Sequence, residues 1–410
     1  MEQHEEVHVA RQPIFDRSLN VFGYELLFRS NFINAYDGLD GDKATHSVIT
    51  NSFLLISRET LTNGKKAFIN FTANSIKNNI PSMLPENLVV VEILENVIPD
   101  EEIIAACRKL KHSGYILALD DFVFQPEYEP LLELADIIKV DFRITPPKER
   151  AELIQRLQSY SVKLLAEKVE TFDEFKEALQ MGYSYFQGYF FCKPVVVSGK
   201  TLPEYKANYL QILKELNQPQ LDFSQLEAII KRDVSLSYKL LKFINSALFG
   251  FKNPIHSLRQ ALILLGQKEL TKWMSLITLN GIANHKPGEL ILESLIRARF
   301  AEMLAATFQL RQRMSDAFLM GLLSHIDALL DRPLQEILDE LSLDEEIKQA
   351  LLAKGHTPFS RLYQLILAYE KGDWTLYTAY AKEMQMDERK ILNSYRESLV
   401  WAHDLIMYNE

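Results

Sequence analysis

Acidic side chains recur at the ends of apolar runs through the first half of this 410-residue chain. The run Tyr115-Ile116-Leu117-Ala118-Leu119 leads straight into Asp120 and Asp121, the pattern of a buried parallel strand with carboxylates at its C-terminal end. Leu88 to Val91 leads into Glu92, Leu164 to Ala166 into Glu167, and Glu25 interrupts the apolar stretch from Tyr24 to Phe28. Asn70, Lys139 and Gln187 stand in equivalent places. Taken alone, the Asp120-Asp121 pair reads first as a helix cap beside a solvated loop residue. Its recurrence at successive strand ends argues instead for convergence on one spot. Crowded carboxylates repel one another unless a divalent cation binds them, and an oxygen-rich donor set suits Mg²⁺ or Mn²⁺. A Glu buried within a strand likewise needs a cation, a metal or a proton.

These residues must be carried by an alternation of strands and helices. Val7 to Phe15 and Val21 to Phe28 read as strands joined by a polar hairpin link, Asp16 to Asn20. A helix is expected over Thr45 to Thr60, ended by Asn63-Gly64. Further strand patterns stand at Lys66 to Phe71, Leu88 to Ile93, Tyr115 to Leu119, Asp136 to Asp141, Lys163 to Glu167 and Tyr185 to Phe191, with helical segments between them. Strands at intervals of about 20 to 30 residues, each followed by a helix, imply a parallel sheet, and this many units favours closure into a TIM-like (β/α) barrel. Such barrels place their active sites at the C-terminal strand ends.

After Pro194 the strand signal stops, and Ser198-Gly199-Lys200 marks a boundary between a barrel at 1–198 and an all-helical region at 199–410. Helical spacing covers Tyr205 to Leu216, Phe223 to Lys231, Ser235 to Asn245 and most of the remaining chain to the C-terminus. Trp273, Phe300 and Trp401 stand at helical spacing among aliphatics and read as core.

Composition narrows the function classes. A hydrophobic fraction of 47% and a charged fraction of 24% fit an ordinary globular chain. The net charge of -10 argues against a broad duplex-binding face, since that requires Lys and Arg to neutralise phosphates. It leaves room for a small phosphate ligand met by local cations. No apolar run approaches the ~20 residues needed to span a bilayer, and the N-terminus lacks a signal-peptide layout. Cys107 and Cys192 fit no metal spacing and read as reduced thiols, so the expected location is the cytoplasm.

The order of these short motifs resembles the EAL-domain phosphodiesterases over nearly all of residues 8–197. Glu25-Leu26-Leu27 with Arg29 stands for the Glu-Ala-Leu motif, followed by Asn70, Glu92 with Glu95, Asp120-Asp121, Lys139 with Asp141, then Ala166-Glu167, Val169-Glu170 and Gln187-Gly188. The resemblance implies hydrolysis of cyclic di-GMP to linear pGpG with two Mg²⁺ or Mn²⁺ ions. Glu25, Asn70, Glu92, Asp120, Asp121 and Glu167 would form the metal shell. Lys139 would position or activate water, with Glu25, Lys139 and Glu167 as the catalytic group. Arg29 and Gln187 would meet substrate, and Glu95 would steady the loop after the double Asp. Two departures stand out: Val123-Phe124-Gln125 replaces a Gly-Thr-Gly loop linked to metal binding and dimer contacts, and Lys168 replaces a Gly. A non-catalytic cyclic di-GMP sensor or interaction scaffold is therefore the rival expectation.

Asp233 to Ala247 and Ile255 to Gly266 resemble the HDOD module, a helical relative of HD hydrolases without their catalytic residues. Ser324-His325 stands near the expected His-Asp position, so no second metal site is expected and His325 reads as a packed or capping residue. The resemblance also allows a homodimer and a protein partner through the helical half.

Overall fold

The computed structural model describes residues 7–30, 61–192, 222–231, 257–282, 287–341 and 343–407, with isolated positions between 212 and 255. The helix expected over Thr45 to Thr60 and the boundary at Ser198-Gly199-Lys200 lie outside the described residues, as do most positions of the helices expected at 205–216 and 235–245.

Eight strands close a barrel in sequence order: β1 (Val7–Asp16), β2 (Val21–Ser30), β3 (Lys66–Phe71), β4 (Val89–Ile93), β5 (Ile116–Leu119), β6 (Ile137–Asp141), β7 (Lys163–Glu167) and β8 (Tyr185–Gln187). Strands β2 to β8 pair in parallel, which requires a crossover connection between successive strands. β1 instead runs antiparallel to both neighbours. The Arg17 to Asn20 link is too short for a crossover, and Asp16 Oδ1 pins it by accepting from the Ser18 and Asn20 amides at 2.8 and 2.9 Å.

Period-two alternation then stacks two layers inside the barrel. Ile14, Phe68, Val90, Ala118, Ile137, Leu165 and Tyr185 form one buried apolar cluster. One inward step nearer the mouth stand Gln12, Asn70, Glu92, Asp120, Lys139, Glu167 and Gln187. The apolar layer closes the barrel beneath a polar ring. Outer helices are set by local caps: Asp100 accepts from Ile103 N at 2.9 Å to open Glu101–His112, and Thr171 with Glu174 forms a capping box on Phe172–Gln180.

The chain divides into two compact units, one of Met1–Lys193 with Leu367–Glu410, the other Pro194–Ile366. The C-terminal segment thus joins the barrel, where helical periodicity alone suggests a continuous helical half. Its aromatic residues explain the docking. His8 of β1 is fully buried beside Tyr369, Trp374 and Tyr377, with ring centroids 6.0, 6.3 and 5.4 Å away. Tyr369 Oη donates to Val9 O at 3.3 Å. Gly372, at φ 67°, packs where a Cβ would lie 2.6 Å from Leu27 Cδ1, so this turn requires glycine for both backbone and space.

In the second unit Leu258–Ile282 is interrupted by Gly266 at φ 68° and ψ 169° and precedes Gly288–Thr307 and Met314–Leu323. Trp273 and Phe300 are buried there as expected. Trp401 is only half-buried and belongs with the barrel unit. Cys107 is a free, buried thiol whose pKa burial pushes up to about 12, which leaves it unreactive. Among the described residues no helix is long and apolar enough to cross a membrane.

Candidate metal centre

The polar ring at the barrel mouth closes around one ammonium. Lys139 Nζ, fully buried, lies 2.7 Å from Glu92 Oε1, 2.8 Å from Asp120 Oδ1, 2.8 Å from Glu167 Oε1 and 3.6 Å from Glu25 Oε1. These are ionic contacts by distance. Among the described residues neither Lys139 Nζ nor either oxygen of Glu92 finds a hydrogen-bond partner of good geometry. Burial raises the pKa of Glu92 and of Glu167, although the Lys139 charge opposes it. For Lys139 burial works against the charged form, but Glu167, Glu25, Glu92 and Asp120 together outweigh it and hold the ammonium protonated.

Glu25 is aimed by two side-chain amides. Gln187 Nε2 donates to its Oε2 at 2.6 Å and Asn70 Nδ2 to its Oε1 at 3.3 Å. This uses the amide nitrogens and leaves Asn70 Oδ1 and Gln187 Oε1 buried without a hydrogen-bond partner, as are Asp121 Oδ1 and both Glu92 oxygens. Buried acceptors of this kind ordinarily find a donor or an ion. One oxygen from each of Asp120, Asp121 and Glu167 falls within 4.8 Å of the others, a spacing compatible with shared coordination of one cation. Fully ionised, Glu25, Glu92, Asp120, Asp121 and Glu167 exceed the Lys139 charge by the four units that two divalent cations carry. The donor set fits divalent metal.

The outer edge is built by backbone constraint. Asp121 takes φ 38° and its amide donates to Asp120 Oδ1 at 3.1 Å. Burial, then the Asp120 charge, raise the Asp121 pKa. The following Phe122 is buried and its amide donates to Lys139 O at 3.1 Å, which anchors the chain just before the altered loop. Beyond it Val123 is exposed.

The expected residues are thus brought together with two qualifications. Arg29 lies in β2 opposite His8, but its side chain falls outside the described residues. Glu95 is exposed, and its link to the loop after Asp121 runs through its main-chain carbonyl, which accepts from Tyr128 Oη at 3.0 Å.

Gln12 belongs to no motif legible in the sequence. Its Oε1 accepts from Gln187 Nε2 at 3.2 Å, and its Nε2 donates to Lys371 O at 3.3 Å. Because β1 runs antiparallel, its mouth-facing residue precedes its core residue Ile14. Alternation counted backwards from Ile14 is the signal that finds it.

In the helical unit His325 is buried, and its imidazole is fully engaged. Arg297 Nη1 lies 3.1 Å from Nε2, and Ser294 Oγ lies 3.3 Å from Nδ1. A guanidinium can only donate, so Nε2 accepts and Nδ1 carries the proton toward Ser294. Burial, then Arg297, lower the His325 pKa well below its ordinary value. It makes no side-chain cap to the helix Ile326–Leu330, so of the two expected roles packing is the observed one.

The EAL domain model matches residues 40–194 and the HDOD domain model residues 202–359. The uncharacterized protein YuxH of Bacillus subtilis is 39% identical over 98% of this chain and 99% of its own length. The cyclic di-GMP phosphodiesterase CdgJ of Vibrio cholerae is 35% identical over 97% of this chain and 93% of its own. A solved structure of BlrP1 from Klebsiella pneumoniae with manganese and cyclic di-GMP overlaps at a TM-score of 0.39 and 21% identity, covering 47% of this chain and 57% of that one. With both domains matched and near-full-length relatives at 35 and 39% identity, the chain belongs to the family of proteins that join an EAL domain to an HDOD domain.

Proposed function

We propose that the chain hydrolyses cyclic di-GMP to linear pGpG with two divalent cations, Mg²⁺ or Mn²⁺, and that the helical unit regulates or scaffolds this activity. The observation that carries the reading is the ring of buried, unpartnered oxygens around Lys139, found where the family match and the name of the Vibrio relative point to a phosphodiesterase. Glu25, Asn70, Glu92, Asp120, Asp121 and Glu167 would hold the cations, which when bound polarise the phosphodiester and lower the pKa of water.

The chain's own residues do the rest. Gln187 and Asn70 fix the rotamer of Glu25 by donating to its two oxygens. Lys139 keeps the inner carboxylates from repelling one another, and its buried ammonium donates a hydrogen bond that orients the attacking water. Arg29 meets a substrate phosphate through its guanidinium fork.

Purified full-length protein incubated with cyclic di-GMP and either Mg²⁺ or Mn²⁺ is expected to yield pGpG, and Glu25→Ala to abolish the yield with the fold intact. Absence of pGpG with both metals sinks this reading. The exposed Val123 and the left-handed Asp121 favour one rival, a cyclic di-GMP sensor or interaction scaffold whose looser outer shell binds without turnover. Nucleotide binding without product would identify the sensor, and no binding the scaffold.

A further inference from the structure

Lys168 occupies a position where the fold demands a left-handed backbone. Glu167 ends β7 facing the ring, while Val169 is clamped to the end of β8: its amide donates to Gln187 O at 3.0 Å and its carbonyl accepts from Phe190 N at 3.1 Å. Gly188 permits the approach, since a Cβ there would lie 2.1 Å from Val169 O. The residue between these two fixed points takes φ 54°. Glycine adopts that conformation without strain, and lysine does not. Strain retained at a site mouth directs attention to the work of the side chain there.

The ammonium of Lys168 contacts Asp141 Oδ2 and lies 3.8 Å from Asp121 Oδ2. Asp141 is buried and held for this contact, because its Oδ1 accepts from the Arg143 amide at 2.6 Å. Asp121 meanwhile keeps Oδ1 buried and without a partner. Among the described residues the mouth therefore carries Lys139 at its centre and the half-exposed Lys168 at its rim. We propose that Lys168 is a positioning residue that acts through Asp121 as a tethered cation, weakening divalent-cation binding at the Asp120, Asp121 and Glu167 end of the centre. It thereby sets the metal concentration at which that end fills. This rests on the two-metal reading above.

The test is Mn²⁺ titration of the full chain by isothermal calorimetry, for wild type, Lys168→Met, Lys168→Arg and Lys168→Gly, with Asp121→Asn to identify the outer binding event by its loss. Lys168→Met is expected to tighten the outer event about tenfold, the size of the Coulomb effect of one unit charge on a divalent cation across a few ångströms at the dielectric of water. Lys168→Arg should stay close to wild type. The gap should shrink as ionic strength rises from about 0.01 to 1 M, because the rim is open to screening. A merely structural lysine would leave that salt dependence flat. Lys168→Gly reads the same quantity without backbone strain if Lys168→Met folds poorly. Equal or weaker Mn²⁺ binding by both uncharged variants overturns the inference while leaving the two-metal reading in place. Failure of wild type to bind Mn²⁺ overturns both.

Discussion

Lys139 in the barrel and Arg297 in the helical unit are both buried cations, at 0 and 5% exposure, and they differ in their surroundings. Four carboxylates lie within 3.6 Å of the lysine, whereas Arg297 donates to the hydroxyl of Ser324 at 2.7 Å and to the imidazole of His325. The first neighbourhood is left with excess negative charge and unpartnered oxygens, so it is open to further cations. In the second, the guanidinium takes the lone pair by which a histidine would bind metal. A buried cation can thus prepare a metal site or close one, according to whether its neighbours keep free donor atoms.

Substitution of Lys139 is expected to have the largest effect. Lys139→Met leaves buried carboxylates uncompensated and is expected to cost about 3–5 kcal/mol in urea unfolding without metal. Added Mn²⁺ should recover part of that by binding the folded state, and turnover should be lost under both conditions. An undiminished midpoint without metal would mean the lysine does not hold the ring together. Arg297→Met should cost at least about 1–3 kcal/mol, the penalty for leaving the Ser324 and His325 acceptors without their donor. Its unfolding midpoint should not respond to Mn²⁺; a response would show that His325 can be recruited as a ligand.

Acidity should move the two units in opposite directions, by up to about 1.4 kcal/mol per pH unit for each titrating group. In the metal-free barrel Glu92 and Glu167 have folded pKa values above the ordinary 4.5, so the folded state holds protons the unfolded chain has lost. Stability there falls as pH rises through the raised range. Mn²⁺ must displace those protons, so its affinity rises with pH. For His325 the folded pKa lies below the ordinary 6.5, and the unfolded chain takes the proton first, so stability falls as pH drops below that value. Unfolding midpoints from pH 5 to 9, followed separately for each unit by hydrogen exchange, check both signs. The smallest effect is expected from Ser294→Ala, about 1 kcal/mol, for one lost hydrogen bond to His325 Nδ1.

The barrel, its strand ends and the ring from Glu25 to Gln187 are legible in residue order alone. Those features obey local rules, since apolar runs of period two end in polar residues and helices separate them. Packing in three dimensions sets the remainder. Gln12 joins the ring because a short hairpin reverses β1, so its contribution runs against the direction that finds the other residues. Glu95 bears on the loop through a carbonyl, whose direction no side-chain type encodes. The C-terminal segment joins the barrel because Tyr369, Trp374 and Tyr377 close over His8, a contact between distant parts of the chain that looks locally like any other helical pattern. Lys168 became a rim cation because chain closure pins Glu167 and Val169 on either side of it. Periodicity records which face of an element is apolar, and closure decides which distant faces meet.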